Sequence, residues 1–366
     1  MPVKIFIITL LLSIQGAVMP MMAQSKNEDR VTLRKISLKG PLVFKPEDLP
    51  HHFSGITVVN ALWDSTRLGF VEVGLYNKKV LAVPEKNMSA YLLDYIDTAL
   101  ATVYEPGKPA MLWVVEDVRI GEHTGDAGEK AYVRLKATAY LSDGEIYKEL
   151  ISRDIVHYNT GLDVTHKHGN NLAKAIQELY LAADSALLIL PVDAPILSYN
   201  ELMLRYLQKR EVPALKDSVL NEGVYYTFES FLRNKPDRAL TKEESKSRRK
   251  VPLIPTDLPM TEKADVWGVV KKGIAYKSVK KGDVLKRDAV VALTKRGYGY
   301  VLSNYQADYR QQKNERMMNA IGAGTITAFM MNGVVRELAY VDNFPILESA
   351  KAEATAIDME TGNLIF

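Results

Sequence analysis

The densest group of side chains able to do chemistry is the run DIVHYNTGLDVTHKH, residues 154–168. It places His157, Asp163, His166 and His168 in one short stretch. Neutral imidazoles with a carboxylate suit zinc or another borderline divalent ion. On a strand, His166 and His168 would share a face. If the run is instead the loop and first turn ahead of a helix, positions two apart do not face one another. Asp163 or Thr165 would then cap that helix. The second placement fits the sequence better, so neither a metal nor a cofactor is expected. A secreted metal-dependent hydrolase using these four residues is the alternative. His51 and His52, adjacent behind Pro50, read as loop residues.

Other catalytic constellations are missing from the sequence. The chain has no Cys, which excludes disulfides, thiolate metal sites and Cys nucleophiles. No GxSxG elbow and no GxxxxGK[ST] phosphate loop occurs. Gly322 and Gly324 begin a GxG whose third glycine is absent and whose context lacks a preceding strand. Glu116 and Asp117 would lie on opposite faces of a strand and could not work together as acid and base. With 47 Lys+Arg against 44 Asp+Glu, the net charge of +3 does not point to nucleic acid.

The elements around these residues read as follows. Residues 31–38 suggest a short strand stopped by Gly40-Pro41, and 42–69 read mostly as loop. Phe70 to Val83 suggests two strands around Asn77-Lys78. Asn87 or Ser89 can cap a helix carrying Leu92, Ile96, Ala99, Leu100 and Val103 at helical spacing. Met111 to Val115 is a continuous apolar run, as in a strand buried on both faces. Over 131–141 the pattern alternates strictly: Ala131, Val133, Leu135, Ala137, Ala139 and Leu141 on one face, Tyr132 and Tyr140 among those on the other. Asp143-Gly144 predicts a type I′ turn into a return strand over roughly 145–157. Leu172, Ile176, Leu179, Ala183, Leu187 and Leu190 then mark an amphipathic helix. Tyr132 and Tyr140 are expected to pair across strands with neighbours such as Tyr147.

This order predicts an α+β chain: a two-layer sandwich, with an antiparallel sheet and helices on one face, over 24–212. A helical connector, Tyr199 to Lys209, leads to a boundary near Pro213 and a β-rich second domain over 213–366. TKEESKSRRK (241–250), followed by Pro252, Pro255 and Pro259, reads as a solvated loop. Hairpins are expected around 271–273, 297–299 and 360–363.

Residues 1–23 read as a secretory signal: Lys4, an apolar run from Ile5 to Ile14, then Gly16, Pro20 and Ala23. An exported chain, periplasmic or associated with the outer membrane, is expected. Met317 to Val335 is uncharged and just reaches the length of a bilayer span, about 20 residues. Its small and polar residues favour a buried segment. Membrane or partner contact through Met317, Met318, Phe329, Met330 and Met331 is the other reading.

Two resemblances add to this. AMLWVVEDVRIGE (110–122), AYVRLKATAYLSDGEIYKEL (131–150) and the helix from about 168 resemble the periplasmic auxiliary lipoproteins of envelope ABC and lipid-transport systems. That resemblance implies an α/β sandwich and a transport-accessory role, although the chain lacks the lipobox Cys of that family. GVYYTFESFLRNKP (223–236), DVWGVVKKGIAY (265–276) and IDMETGNLI (357–365) resemble an uncharacterised domain of secreted Bacteroidota-type proteins, which implies an envelope or secreted location and no known activity. The expectation is a non-enzymatic envelope component with a protein partner. A lipid or amphiphile carrier is the second alternative.

Overall fold

The structure, a computed structural model, describes residues 33–38, 45, 48–73, 78–125, 128–161, 163–241, 266–278, 290–302 and 356–365. Several expectations lie outside them: the signal at 1–23, the Gly40-Pro41 stop, the charged loop beyond Thr241 with its prolines, and 317–335 with Met317, Met318, Phe329, Met330 and Met331. The described residues belong to one compact unit.

The first sheet contains β1 (Leu33–Ile36), β2 (Ile56–Asn60), β3 (Gly69–Val73), β4 (Lys78–Pro84), β5 (Ala110–Gly125), β6 (Gly128–Ser142), β7 (Ile146–Gly161) and β8 (Ile196–Ser198). Its order is β1-β4-β3-β5-β6-β7-β8, with β2 also pairing β5. The long strands β5, β6 and β7 are antiparallel, as expected. The short N-terminal strands add parallel pairings, β1 with β4 and β2 with β5. β2 falls in the stretch read as loop. It is five residues long, too short for alternation to separate it from its Pro- and Gly-rich surroundings.

Helices α1 (Met88–Leu100) and α2 (His168–Leu187) cover one face of this sheet. Asn87 caps α1, its side chain accepting from the Ala90 N–H at 2.9 Å. Leu172, Ile176, Leu179 and Ala183 of α2 are buried against Val133, Leu135, Ala137 and Ala139 of β6, and Leu92, Ile96 and Leu100 of α1, which lies on β2, belong to the same core. This is the apolar face that the alternation marks. The helix α3 (Tyr199–Gln208) starts with a reciprocal Ser198–Glu201 capping box.

The remaining elements are α4 (Pro213–Lys216), β9 (Gly223–Tyr225), α5 (Phe228–Leu232), β10 (Gly268–Lys271), β11 (Ile274–Ser278), β12 (Val290–Arg296), β13 (Gly299–Leu302), β14 (Ala356–Ile357) and β15 (Leu364–Ile365). Their strands form a second sheet in the order β15-β14-β13-β12-β11-β10-β9. The pairings within it are antiparallel. The three expected hairpins are present. Lys272 and Gly273 both take positive φ, +51° and +72°, in the two-residue turn between β10 and β11.

The second face of the first sheet is covered as well. Leu112, Val114 and Tyr140 pack with Leu202 and Tyr206 of α3. Phe70 and Tyr132 join an aromatic core with Tyr225, Phe231, Trp267 and Tyr300. Central strands buried on both faces explain the unbroken apolar run at 111–115.

Two local expectations need correction. At Asp143-Gly144 only the glycine takes positive φ, +104°, so the turn is not type I′. Asp143 instead accepts through Oδ1 from the Ile146 N–H at 3.1 Å, an Asx-type arrangement. Tyr140 faces Glu149 across the ladder because the four-residue turn sets Ser142 opposite Tyr147; Tyr147 packs against the same apolar cluster from the diagonal position, and the Tyr140 hydroxyl meets that of Tyr206 at 2.7 Å. Tyr132 does pair across strands, with Tyr158, at a centroid distance of 5.9 Å.

Candidate functional site

The four residues of the His-rich run are not brought together. His157 projects from β7 towards α2, its Nε2 2.8 Å from Glu178 Oε2. Burial, with Lys174 nearby, lowers its pKa despite that carboxylate. Asp163 accepts from the Thr165 N–H at 3.1 Å, at the entry to a single 3-10 turn, Thr165–Lys167. The α2 N-cap is Lys167, with no side-chain cap, and Thr165 donates instead to the Glu72 carbonyl at 3.1 Å. His166 is exposed. His168 is fully buried at the start of α2. Among the described residues no three His, Asp or Glu side chains gather as a metal site would require.

His168 belongs to a different constellation. Its Nε2 lies 2.8 Å from Glu122 Oε1 on β5, and both side chains are excluded from solvent. The other Glu122 oxygen accepts from the Glu72 N–H of β3. His168 Nδ1 has no hydrogen-bond partner among the described residues. This pair ties the start of α2 to two strands of the sheet. It is sealed from solvent and serves as an internal pin. His52, read as a loop residue, is likewise fixed, with Nδ1 2.8 Å from Asp184 Oδ1 on α2.

Glu116 and Asp117 overturn the expectation of opposite faces. The β5–β6 register shifts between Val115 and Asp117. Val115 and Val118 are both in the helix-side core, so the two acids between them turn together to the other face. A bulge re-aims side chains in this way. Glu116 accepts from Lys209 Nζ of α3 at 2.7 Å. Asp117 shares Arg134 of β6 with Asp154 and Asp358, at N–O distances of 3.2, 2.6 and 3.4 Å. Lys136 Nζ reaches Glu360 at 2.6 Å. These charges form a belt beside the two apolar clusters on that face, and its contacts to Asp358 and Glu360 join the two sheets. The sequence clue is the broken alternation: Trp113 and Val115 on one side of the acids, Val118 and Ile120 on the other.

Burial raises the pKa of Asp117, with Arg119 and Arg134 pulling the other way. A carboxyl whose folded pKa lies above its unfolded one binds its proton more tightly when folded. Its stabilising contribution is therefore full below the unfolded pKa, about 3.9, and is lost as pH rises through the folded value. Asp117→Asn is thus expected to gain stability relative to the parent as pH is raised from about 4 to 7. Urea unfolding at both pH values checks this; a difference that stays flat or runs the other way refutes it.

The most conspicuous solvent-facing feature follows α2. Leu188, Ile189 and Val192 are 70%, 81% and 96% exposed, and Ile196 opens β8 at 55%. On α3, Leu202 and Tyr206 face inward, while Tyr199, Leu204 and Leu207 are exposed. Isolated exposed leucines are ordinary; here seven exposed apolar side chains fall within residues 188–207. Among the described residues no helix is long and apolar enough to cross a membrane.

In comparisons with known proteins, the chain matches no protein-family model, no curated protein and no solved structure.

Proposed function

We propose that this protein is an exported, non-enzymatic component of the cell envelope that holds a partner protein through the surface formed by 188–207. The exposed apolar side chains from Leu188 to Leu207 carry this reading. Export rests on the secretory pattern of 1–23. The sealed pairing of Glu122 with His168, and the engagement of the belt carboxylates by Arg134 and Lys209, support structural roles for these charges rather than substrate chemistry.

The test is a photo-cross-linker placed at Val192 and, separately, at Leu204 in the full chain, activated in intact envelopes. One defined protein captured at both positions, and lost on Val192→Asp with Leu204→Asp, is expected. A monomer that captures nothing and retains extractable lipid would replace this reading with that of an amphiphile carrier.

A further inference from the structure

We infer that the outer edge of β7 is a strand-addition site for an extended, acidic segment of the envelope partner. This rests on the docking reading above and names how the partner is held.

β7 is sixteen residues long and pairs with β6 along nearly all of it. On its other side β8 pairs only with Ile146, Tyr147 and Lys148. From residue 149 to residue 161 no described strand lies alongside. In an antiparallel strand every second residue turns its N–H and C=O away from the existing neighbour. This stretch therefore presents about five residues' worth of outward backbone groups, since beyond Asn159 the Thr160 carbonyl accepts from Lys167 Nζ at 2.6 Å. Only another extended backbone matches that repeat of donors and acceptors. Edges are usually blunted by proline, by charged side chains, by bulges, by extreme shortness or by a covering element. β8 is blunted in that way, with three residues behind Pro195. The 149–161 stretch contains no proline, and its register shift lies at one end, beside Leu150.

A second copy of the chain is a poor occupant. A two-fold axis normal to the sheet pairs residues of like parity. The registers centred on residues 153 and 154 then set Arg153 against Arg153 or Asp154 against Asp154, and the register centred on 155 leaves Arg153 facing His157, an imidazole already paired with Glu178, with no carboxylate opposite it. Like charges directly opposite are destabilising. A different chain with a carboxylate at that position is favoured. Arg153 is exposed and has no ion-pair partner among the described residues. It shares the helix-side face with His157, beside Lys174 of α2. The edge also runs toward the exposed apolar cluster, since Lys148 Nζ reaches the Val192 carbonyl at 3.4 Å.

The test uses the full chain and a synthetic peptide of about ten residues alternating Glu and Val. Fluorescence anisotropy reads binding, and hydrogen exchange reads the amides of 149–161. Expected results are fast exchange at alternate amides of the free chain, slowed when the peptide is bound. Arg153→Glu should weaken binding at least about tenfold without changing the urea midpoint. A Lys/Val peptide, or a Glu/Val peptide N-methylated at alternate residues, should bind at least about tenfold more weakly. Three results would each overturn the inference: slow exchange at those amides in the free chain, no binding of the Glu/Val peptide, or binding that leaves 149–161 unchanged. None of these alters cross-linking at Val192 and Leu204, so the docking reading stands or falls separately.

Discussion

Glu122→Leu is expected to cost about 2–5 kcal/mol of folding stability, the penalty for leaving buried hydrogen-bonding groups without their partner. The carboxylate accepts from His168 Nε2 and from the Glu72 N–H in a site closed to water. Removing it leaves two donors buried without acceptors, each keeping its full desolvation cost. His168→Leu should fall in the same range, because it strands the Glu122 carboxylate. The double variant should be less destabilised than the sum of the singles by about 1–3 kcal/mol, since it removes both ends of the pair. Urea unfolding of the four proteins closes the cycle, and additive losses would show that the two groups do not act together. Glu178→Ala is the contrast. It removes the carboxylate beside His157, but Glu178 is 53% exposed, and a loss below about 1 kcal/mol is expected.

Gly69→Ala should be as damaging, by a different route. Gly69 opens β3 at φ +137°, a conformation that L side chains rarely adopt. An added Cβ would stand 1.9 Å from the Ile120 carbonyl oxygen. The close approach is built into the β3–β5 contact, where the Ile120 N–H donates to the Leu68 carbonyl at 2.7 Å. Backbone strain and the forced separation of the strands together should cost at least about 3 kcal/mol. Gly107→Ala separates the two causes. Gly107 also has positive φ, +87°, but an added Cβ there meets nothing within 4 Å. It should lose only about 1–2 kcal/mol, the cost of the left-handed backbone alone. Thermal or urea unfolding of both variants checks the order; equal losses would remove the clash from the account.

Much of the scaffold was legible because its signals are local. Strict alternation over 131–141 marked β6 and its buried face. The spacing of Leu92, Ile96 and Leu100 marked α1, and Asn87 its cap. The α+β order followed from these. What escaped did so for identifiable reasons. β2 is shorter than the window that alternation needs. At Asp143 an Asx bond competes with the left-handed backbone expected from the dipeptide. The bulge at Glu116 shows in the sequence only as a one-residue slip of the alternation between Val115 and Val118, and the partners that hold the two acids on one face lie far along the chain.

The candidate site shows where local information stops. The residue types of the His-rich run were plain, but their partners were not. His168 meets Glu122, 46 positions away, and His157 of β7 meets Glu178 of α2. Arg134 and Asp358 are 224 positions apart. By itself the sequence determined which segments become helices and strands and which faces are apolar, because those depend on neighbours a few residues away. Only the tertiary structure decided which buried charges are paired, that the first sheet is covered on both faces, and that β7 keeps an uncovered edge among the described strands. Each of these depends on what a side chain or a backbone edge meets after distant segments have packed, and residue spacing along the chain carries no record of that.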